Sequence, residues 1–240
     1  MIVLQGATAL TKGIKTPFFP SGGVAPFTYT VLPDGAGGTI DSNGLYTAPQ
    51  VFGVDTIEIK DSTPVTPLVA TSQIHIMSPI QLVCDIIQKE MVLDAEQVYF
   101  YNQKINLPRD QKLYIAVGVL NAKAFGNTNT KDPSGVGLVE EQVVNMQNIL
   151  SVDIMSRSTD AFFRKEEVLM ALNSQYSQNQ QTANSFYIAK ISSSFVNLSD
   201  QDGAAIPYRF NISVSMQYAL KKSKPVSYYD TIELELITNE

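Results

Sequence analysis

The 240-residue chain carries 17 Lys and Arg against 23 Asp and Glu, a formal net charge of -6 with a sequence pI near 4.8. That balance argues against a duplex nucleic-acid binder whose affinity comes from phosphate neutralisation. A single cysteine, Cys84, and a single histidine, His75, exclude an internal disulfide, a cysteine-rich metal site and a histidine-based catalytic constellation. No run of about 18 apolar residues is long enough to span a membrane. The opening MIVLQGATALTKG lacks the charged and apolar regions of a secretion signal, so folding in a cytosol is expected.

Residues 1–77 show short alternating runs punctuated by Gly, Pro, Asp and Asn, with no helical period. This is the pattern of a small sandwich of antiparallel strands. Ile2 and Leu4 alternate, then Phe27, Tyr29 and Val31, then Ile57 and Ile59, then Ile74 and Ile76, with His75 on the outward side. Asp41-Ser42-Asn43-Gly44 reads as a tight turn flanked by Ile40 and Leu45 as inward residues. The run Ser21-Gly22-Gly23-Val24-Ala25-Pro26-Phe27-Thr28-Tyr29, the string Gly38-Thr39-Ile40-Asp41-Ser42-Asn43-Gly44-Leu45-Tyr46-Thr47-Ala48-Pro49 and Asp55-Thr56-Ile57 resemble bacterial Ig-like modules of surface and phage structural proteins. The resemblance implies an all-β Ig-like sandwich over residues 1–77, and no activity. Tyr46 is expected in its core or at a tyrosine corner rather than as an exposed glycan contact.

Ser78-Pro79 joins a capping residue to a proline at the first helical position and opens a second domain, residues 79–240. The helix that follows, PIQLVCDIIQKEM, places Ile80, Val83, Cys84 and Ile87 on one face, so Cys84 is expected as a small buried residue. Glu96 to Tyr101 and Lys112 to Leu120 read as strands separated by a turn at 106–110. Residues 121–137 are polar and glycine-bearing, and read as a loop too long for a plain connection, of the kind that is functional or disordered. Gly135 and Gly137 lack the Gly, Lys and Ser or Thr that a phosphate cradle needs.

From Val143 to Ser156 the period is two, with Val144, Met146, Leu150, Val152 and Ile154 on one side and Asn145, Gln147, Ser151 and Asp153 on the other. Ser158, Thr159 and Asp160 can cap a helix over 161–173, whose stripe is Ala161, Val168 and Leu172 with Phe162 and Leu169 beside it. Glu166 and Glu167 read as an exposed helix face. Residues 174–184 either extend that helix or leave it. Phe186 to Phe195 is a strand, and 198–203 a turn in which Asp200 and Asp202 lack the closing glutamate of a calcium loop. Tyr208 to Leu220 alternates cleanly; the basic joint KKSKPVS then leads to a strand Thr231 to Ile237. Lys221, Lys222 and Lys224 there either meet phosphate or an acidic neighbour, or form a solvated hairpin tip.

The second part thus reads as an α+β domain, a mixed or antiparallel sheet with two helices packed on it. The run Ile149 to Ser156 followed by Thr159-Asp160-Ala161, and the ending Phe210 to Tyr218 followed by Tyr228-Tyr229-Asp230-Thr231-Ile232, resemble tail terminator and neck proteins of tailed phages, including the neck terminator group. The resemblance implies a structural virion protein without catalytic, cofactor or metal site. It implies a homohexameric ring at the head–tail junction that ends the tail tube and joins it to the connector, with DNA only passing through the lumen. No membrane partner is implied, and assembly would take place in the host cytoplasm. The interaction candidates are Asn127, Thr128, Asn129, Lys131 and Asp132 in the expected loop, and Lys221, Lys222 and Lys224 in the expected hairpin. The alternative is a surface adhesion or carbohydrate-binding protein carrying an Ig-like module, which the absence of Trp weakens.

Overall fold

The computed structural model describes residues 1–100, 107–135, 137–199 and 208–226. The expected strand at Thr231–Ile237 and the Asp200 and Asp202 pair lie outside the described residues. The architecture is mixed α+β and mostly strands, with several small sheets in the first third and one larger mixed sheet after it.

The first third contains β1 (Ile2–Gln5), β2 (Ala9–Leu10), β3 (Lys15–Pro17), β4 (Phe19–Gly22), β5 (Thr28–Val31), β6 (Thr39–Ile40), β7 (Leu45–Thr47), β8 (Gly53–Lys60) and β9 (Val69–Ile76). β1 pairs with β4, β2-β9-β8-β5 form a four-stranded sheet, and β3-β7-β6 a three-stranded one. Ile2, Leu4, Ile57, Ile59, Ile74 and Ile76 meet in one core with Leu10, Phe18 and Tyr46, as their alternation predicts, and His75 faces out.

The expected placement of Leu45 is corrected: Leu45 is exposed and its neighbour Tyr46 is fully buried. Period two allows one of the two inside, and a buried polar partner chooses Tyr46. Its hydroxyl donates to the Asp55 carboxylate, which also accepts from the amides of Gly37 at 3.0 Å and Gly38 at 2.8 Å. Any side chain at Gly38 would run into Tyr46 Oη and Asp55 Oδ2. The Gly38-to-Pro49 string is therefore a cradle for a buried acid.

A second carboxylate, Asp61, ties down the 61–68 segment. It accepts from the Thr63 hydroxyl at 2.6 Å and from the amides of Leu68 at 2.7 Å, Val24 at 3.1 Å and Thr63 at 3.2 Å. The Thr63 hydrogen bond leads these effects, and against opposing burial they hold the Asp61 carboxyl down at about 2. Since an unfolded Asp titrates near 3.9, this anchor contributes fully above about pH 4 and is lost as pH falls through the folded value. Asp61→Asn is expected to flatten the dependence of Tm on pH between about pH 4 and pH 2. An unaltered slope in the variant would remove Asp61 from that role.

The larger part begins at α1 (Pro79–Glu90), where Ser78 Oγ accepts from Gln81 N and Gln81 Oε1 accepts from Ser78 N. This reciprocal pair fixes the start that Ser78-Pro79 predicts. Leu82, Val83, Ile86 and Ile87 are buried, with Ile80 and Cys84 partly so, and burial pushes the Cys84 thiol up to about 12. A 3-10 turn at Ala95–Gln97 replaces the first residues of the expected strand and leads into β10 (Val98–Phe100).

β11 (Tyr114–Gly135), β12 (Gly137–Ser156) and, after the helices, β15 (Tyr208–Val226) are the long strands of the sheet. β13 (Phe186–Ile191) and β14 (Val196–Asn197) each pair with β15, giving the order β10-β11-β12-β15-β13 with β14 on β15. β10 runs parallel to β11 and the other pairs are antiparallel. Between β12 and β13 lie α2 (Asp160–Arg164), α3 (Glu167–Asn173) and α4 (Gln175–Ala183), so the expected 161–173 helix is broken and its polar continuation is helical. Ser174, with ψ 162°, ends α3 and caps α4 by accepting from Ser177 N. One core joins Leu82, Val83, Ile86 and Ile87 to Ile115, Val117, Leu150, Val152, Ile154, Val168, Leu172, Ile212, Val214 and Met216.

Two connections expected from the sequence are strands instead. Residues 121–135 continue β11 without interruption, and the basic run through Val226 continues β15. The long loop and hairpin tip were inferred from a missing apolar period. A strand with solvent on both faces has no such period to show, yet β12 pairs with both neighbours along the ribbon and satisfies the backbone groups that face it.

The first third and the larger part meet at β2. Ala9 packs into the larger core while Leu10 faces the smaller one. Thr11 N donates to Asn184 Oδ1 at 2.7 Å, and Thr11 Oγ1 donates to Asn184 O at 3.2 Å.

Candidate functional site

Past the row Val119–Leu150–Val214, β13 stays on β15 as far as Tyr218, and beyond it β11, β12 and β15 run on as a three-stranded ribbon. From Gly137 to Ile149 the central strand is roughly 40 Å long at a rise of about 3.4 Å per residue. No described strand pairs with β11 beyond Val117 on its outer side, or with β15 beyond Tyr218. Among the described residues, neither outer edge is covered by a further strand along the ribbon, and such an edge is the usual template for strand addition.

The ribbon brings the two sets of sequence candidates onto neighbouring strands, spread over its two faces. Thr128 lies opposite Val143, which lies opposite Lys221; Asn129, Gln142 and Lys222 form the next row; Lys131, Glu140 and Lys224 form another. Asn127 is opposite Val144 and Asp132 opposite Val139. Asn127, Thr128, Asn129, Lys131, Lys221, Lys222 and Lys224 are all exposed.

Glu140 is the residue that sequence reasoning missed. It is almost buried, although it sits on a ribbon without a hydrophobic core. Its carboxylate takes Lys224 Nζ at 3.0 Å, Asn129 Nδ2 at 2.8 Å and Gln142 Nε2 at 3.2 Å. The Lys224 hydrogen bond, helped by Gln142, holds its pKa below the ordinary glutamate value. Four of the residues around this knot come from three strands, so only the cross-strand register reveals it. The signal available in sequence was Glu140 two positions from Gln142 in an alternating run, which on its own looks like any solvated face. Lys221 reaches Glu141 on the opposite face at 3.9 Å, a looser contact.

Two irregularities break the β11 edge. The register slips between Val119 and Asn121 and again between Ala124 and Gly126, so Leu120 and Phe125 are each the extra residue of a bulge. Bulges re-aim side chains and blunt an edge against indiscriminate pairing. Both extra residues are large and apolar, and they are 63% and 53% exposed.

The sheet face away from the helices carries a second polar group. Asp153 is buried and accepts from Arg209 Nε at 3.3 Å and Asn211 Nδ2 at 3.0 Å; Asn211 also reaches Ser151 Oγ. With Gly118, Leu120 and Leu198 these residues line a shallow depression of about 490 Å³. A carboxylate already held by a guanidinium and an amide is suited to fixing register across β12 and β15 more than to proton transfer.

Glu166 and Glu167 lie on the exposed helix face as expected, paired with Lys165 at 2.7 Å and Arg164 at 2.7 Å. Among the described residues no group of three His, Cys, Asp or Glu is placed to hold a metal ion, and no helix is long and apolar enough to cross a membrane. No protein-family model matches the chain, and no curated protein sequence matches it.

Proposed function

We propose that this chain is a structural virion protein of a tailed phage, forming a ring at the head–tail junction that ends the tail tube and joins it to the connector. The observation that carries the reading is the three-stranded ribbon. It extends beyond the core, has no described strand on either outer edge, and brings the interaction candidates together on three neighbouring strands, spread over its two faces. A closed ring repeats one heterologous contact around an axis, and an arm of this length suits reaching a neighbouring subunit. The larger domain is read as tail-terminator-like, and six copies follow from that resemblance.

The first third, with its shared β core and its Gly38-to-Pro49 cradle, is read as an Ig-like sandwich decorating the outside of the ring. The burial of Tyr46 removes the aromatic side chain that the adhesion alternative would have used for a glycan.

Replacing residues 128–143 by Asn-Gly joins Asn127 to Val144 through a two-residue hairpin turn and leaves every core row in place. The shortened protein is expected to keep its circular dichroism while infectious tail joining falls at least about tenfold, an order-of-magnitude expectation for a deleted interface centre. Joining at the wild-type level would end the proposal that the ribbon is the assembly arm.

A further inference from the structure

Ring formation of the kind proposed above needs two different patches that fit each other, and we infer that the bulged edge of β11 docks on the α2–α3 face of the next copy of this chain. This inference rests on the ring reading and adds the two surfaces to it. The first patch is Leu120 and Phe125, the extra residues of the two β11 bulges, with Lys123 between them. The second is Phe163 of α2 and Met170 of the adjoining α3, 70% and 71% exposed. Phe163 stacks edge-on against Phe162, which in turn packs on Phe210, so the patch stands on the sheet core.

Charge favours a second copy as the occupant. The ribbon segments 121–135, 137–149 and 219–226 hold five lysines and three carboxylates, whereas the remainder of the chain holds twelve basic and twenty acidic residues. A basic arm on an acidic body is complementary to the body of its own neighbour. At the contact itself, Lys123 would meet the Glu166 and Glu167 side of the helix, where each glutamate already carries one intramolecular partner. The apolar pair on each side supplies the anchors, and the charges set the orientation.

The test uses the full chain and two double variants, Leu120→Asp with Phe125→Asp and Phe163→Asp with Met170→Asp, weighed in solution by light scattering. All four residues are exposed, so circular dichroism and Tm should stay at wild type; serine versions replace either aspartate pair that does not meet this. The wild-type chain is expected to form a closed multimer, and each double variant a single chain of 26.3 kDa. Mixed together, the two variants retain one intact patch of each kind and should yield two-chain complexes that cannot close. Either variant keeping the wild-type mass, or a mixture that stays single-chain, overturns this pairing while leaving the ring reading standing. A wild-type chain that stays single at high micromolar concentration overturns the ring reading itself.

Discussion

Asp55→Ala is expected to lower unfolding stability by about 3–5 kcal/mol, the range for breaking a buried, hydrogen-bonded charged group. Asp55 is wholly buried and receives three donors: the Tyr46 hydroxyl and the amides of Gly37 and Gly38. Truncation leaves all three without their acceptor, and the Tyr46 hydroxyl, enclosed on every side, cannot turn to water. Tyr46→Phe removes one donor and should cost about half as much, roughly 1.5–3 kcal/mol. Urea unfolding followed by circular dichroism checks the ranking, and an Asp55→Ala chain within about 1 kcal/mol of wild type would contradict it. Alkali offers a separate check. Burial first, then the hydrogen bond to Asp55 and its charge, raises the Tyr46 hydroxyl above its ordinary value. A raised folded pKa contributes below the unfolded value near 10 and is lost as pH rises beyond it, so the wild type should weaken above about pH 10 more steeply than Tyr46→Phe.

Leu150→Ala is expected to cost about 2–5 kcal/mol, whereas Val144→Ala, six residues away on the same strand and the same side, should cost under about 1 kcal/mol. Leu150 is fully buried in the core that joins the sheet to the helices, where a missing side chain leaves a cavity. Val144 is only half-buried and lies in the ribbon, outside that core. The contrast marks where the folded body ends and the arm begins. Equal costs at the two positions would mean that the ribbon is packed like the body, and its assignment as an outlying arm would fail.

Much of the body was legible because its signals are local or strictly periodic. Ser78 and Pro79 announce α1, and the alternation from Phe210 to Met216 puts Phe210, Ile212, Val214 and Met216 inside as read. The ribbon was not legible for a physical reason. Lys131, Glu140 and Lys224 belong to three separated segments, and what makes them neighbours is hydrogen-bond register between strands, not any pattern within one strand. The same holds for Tyr46, whose inward position depends on Asp55 and two glycine amides elsewhere in the chain. The break at Ser174 was half legible: serine is a good cap, but the same residue also had to stop the helix before it.

The dipeptide Ala9-Leu10 gives the molecule a mechanical property. Because one side chain is seated in each core and Thr11 is bonded twice to Asn184, the front module is clamped to the body rather than tethered by a swinging linker. A pull on that module would load the end of α4 directly, so it would behave as a rigid handle on the body.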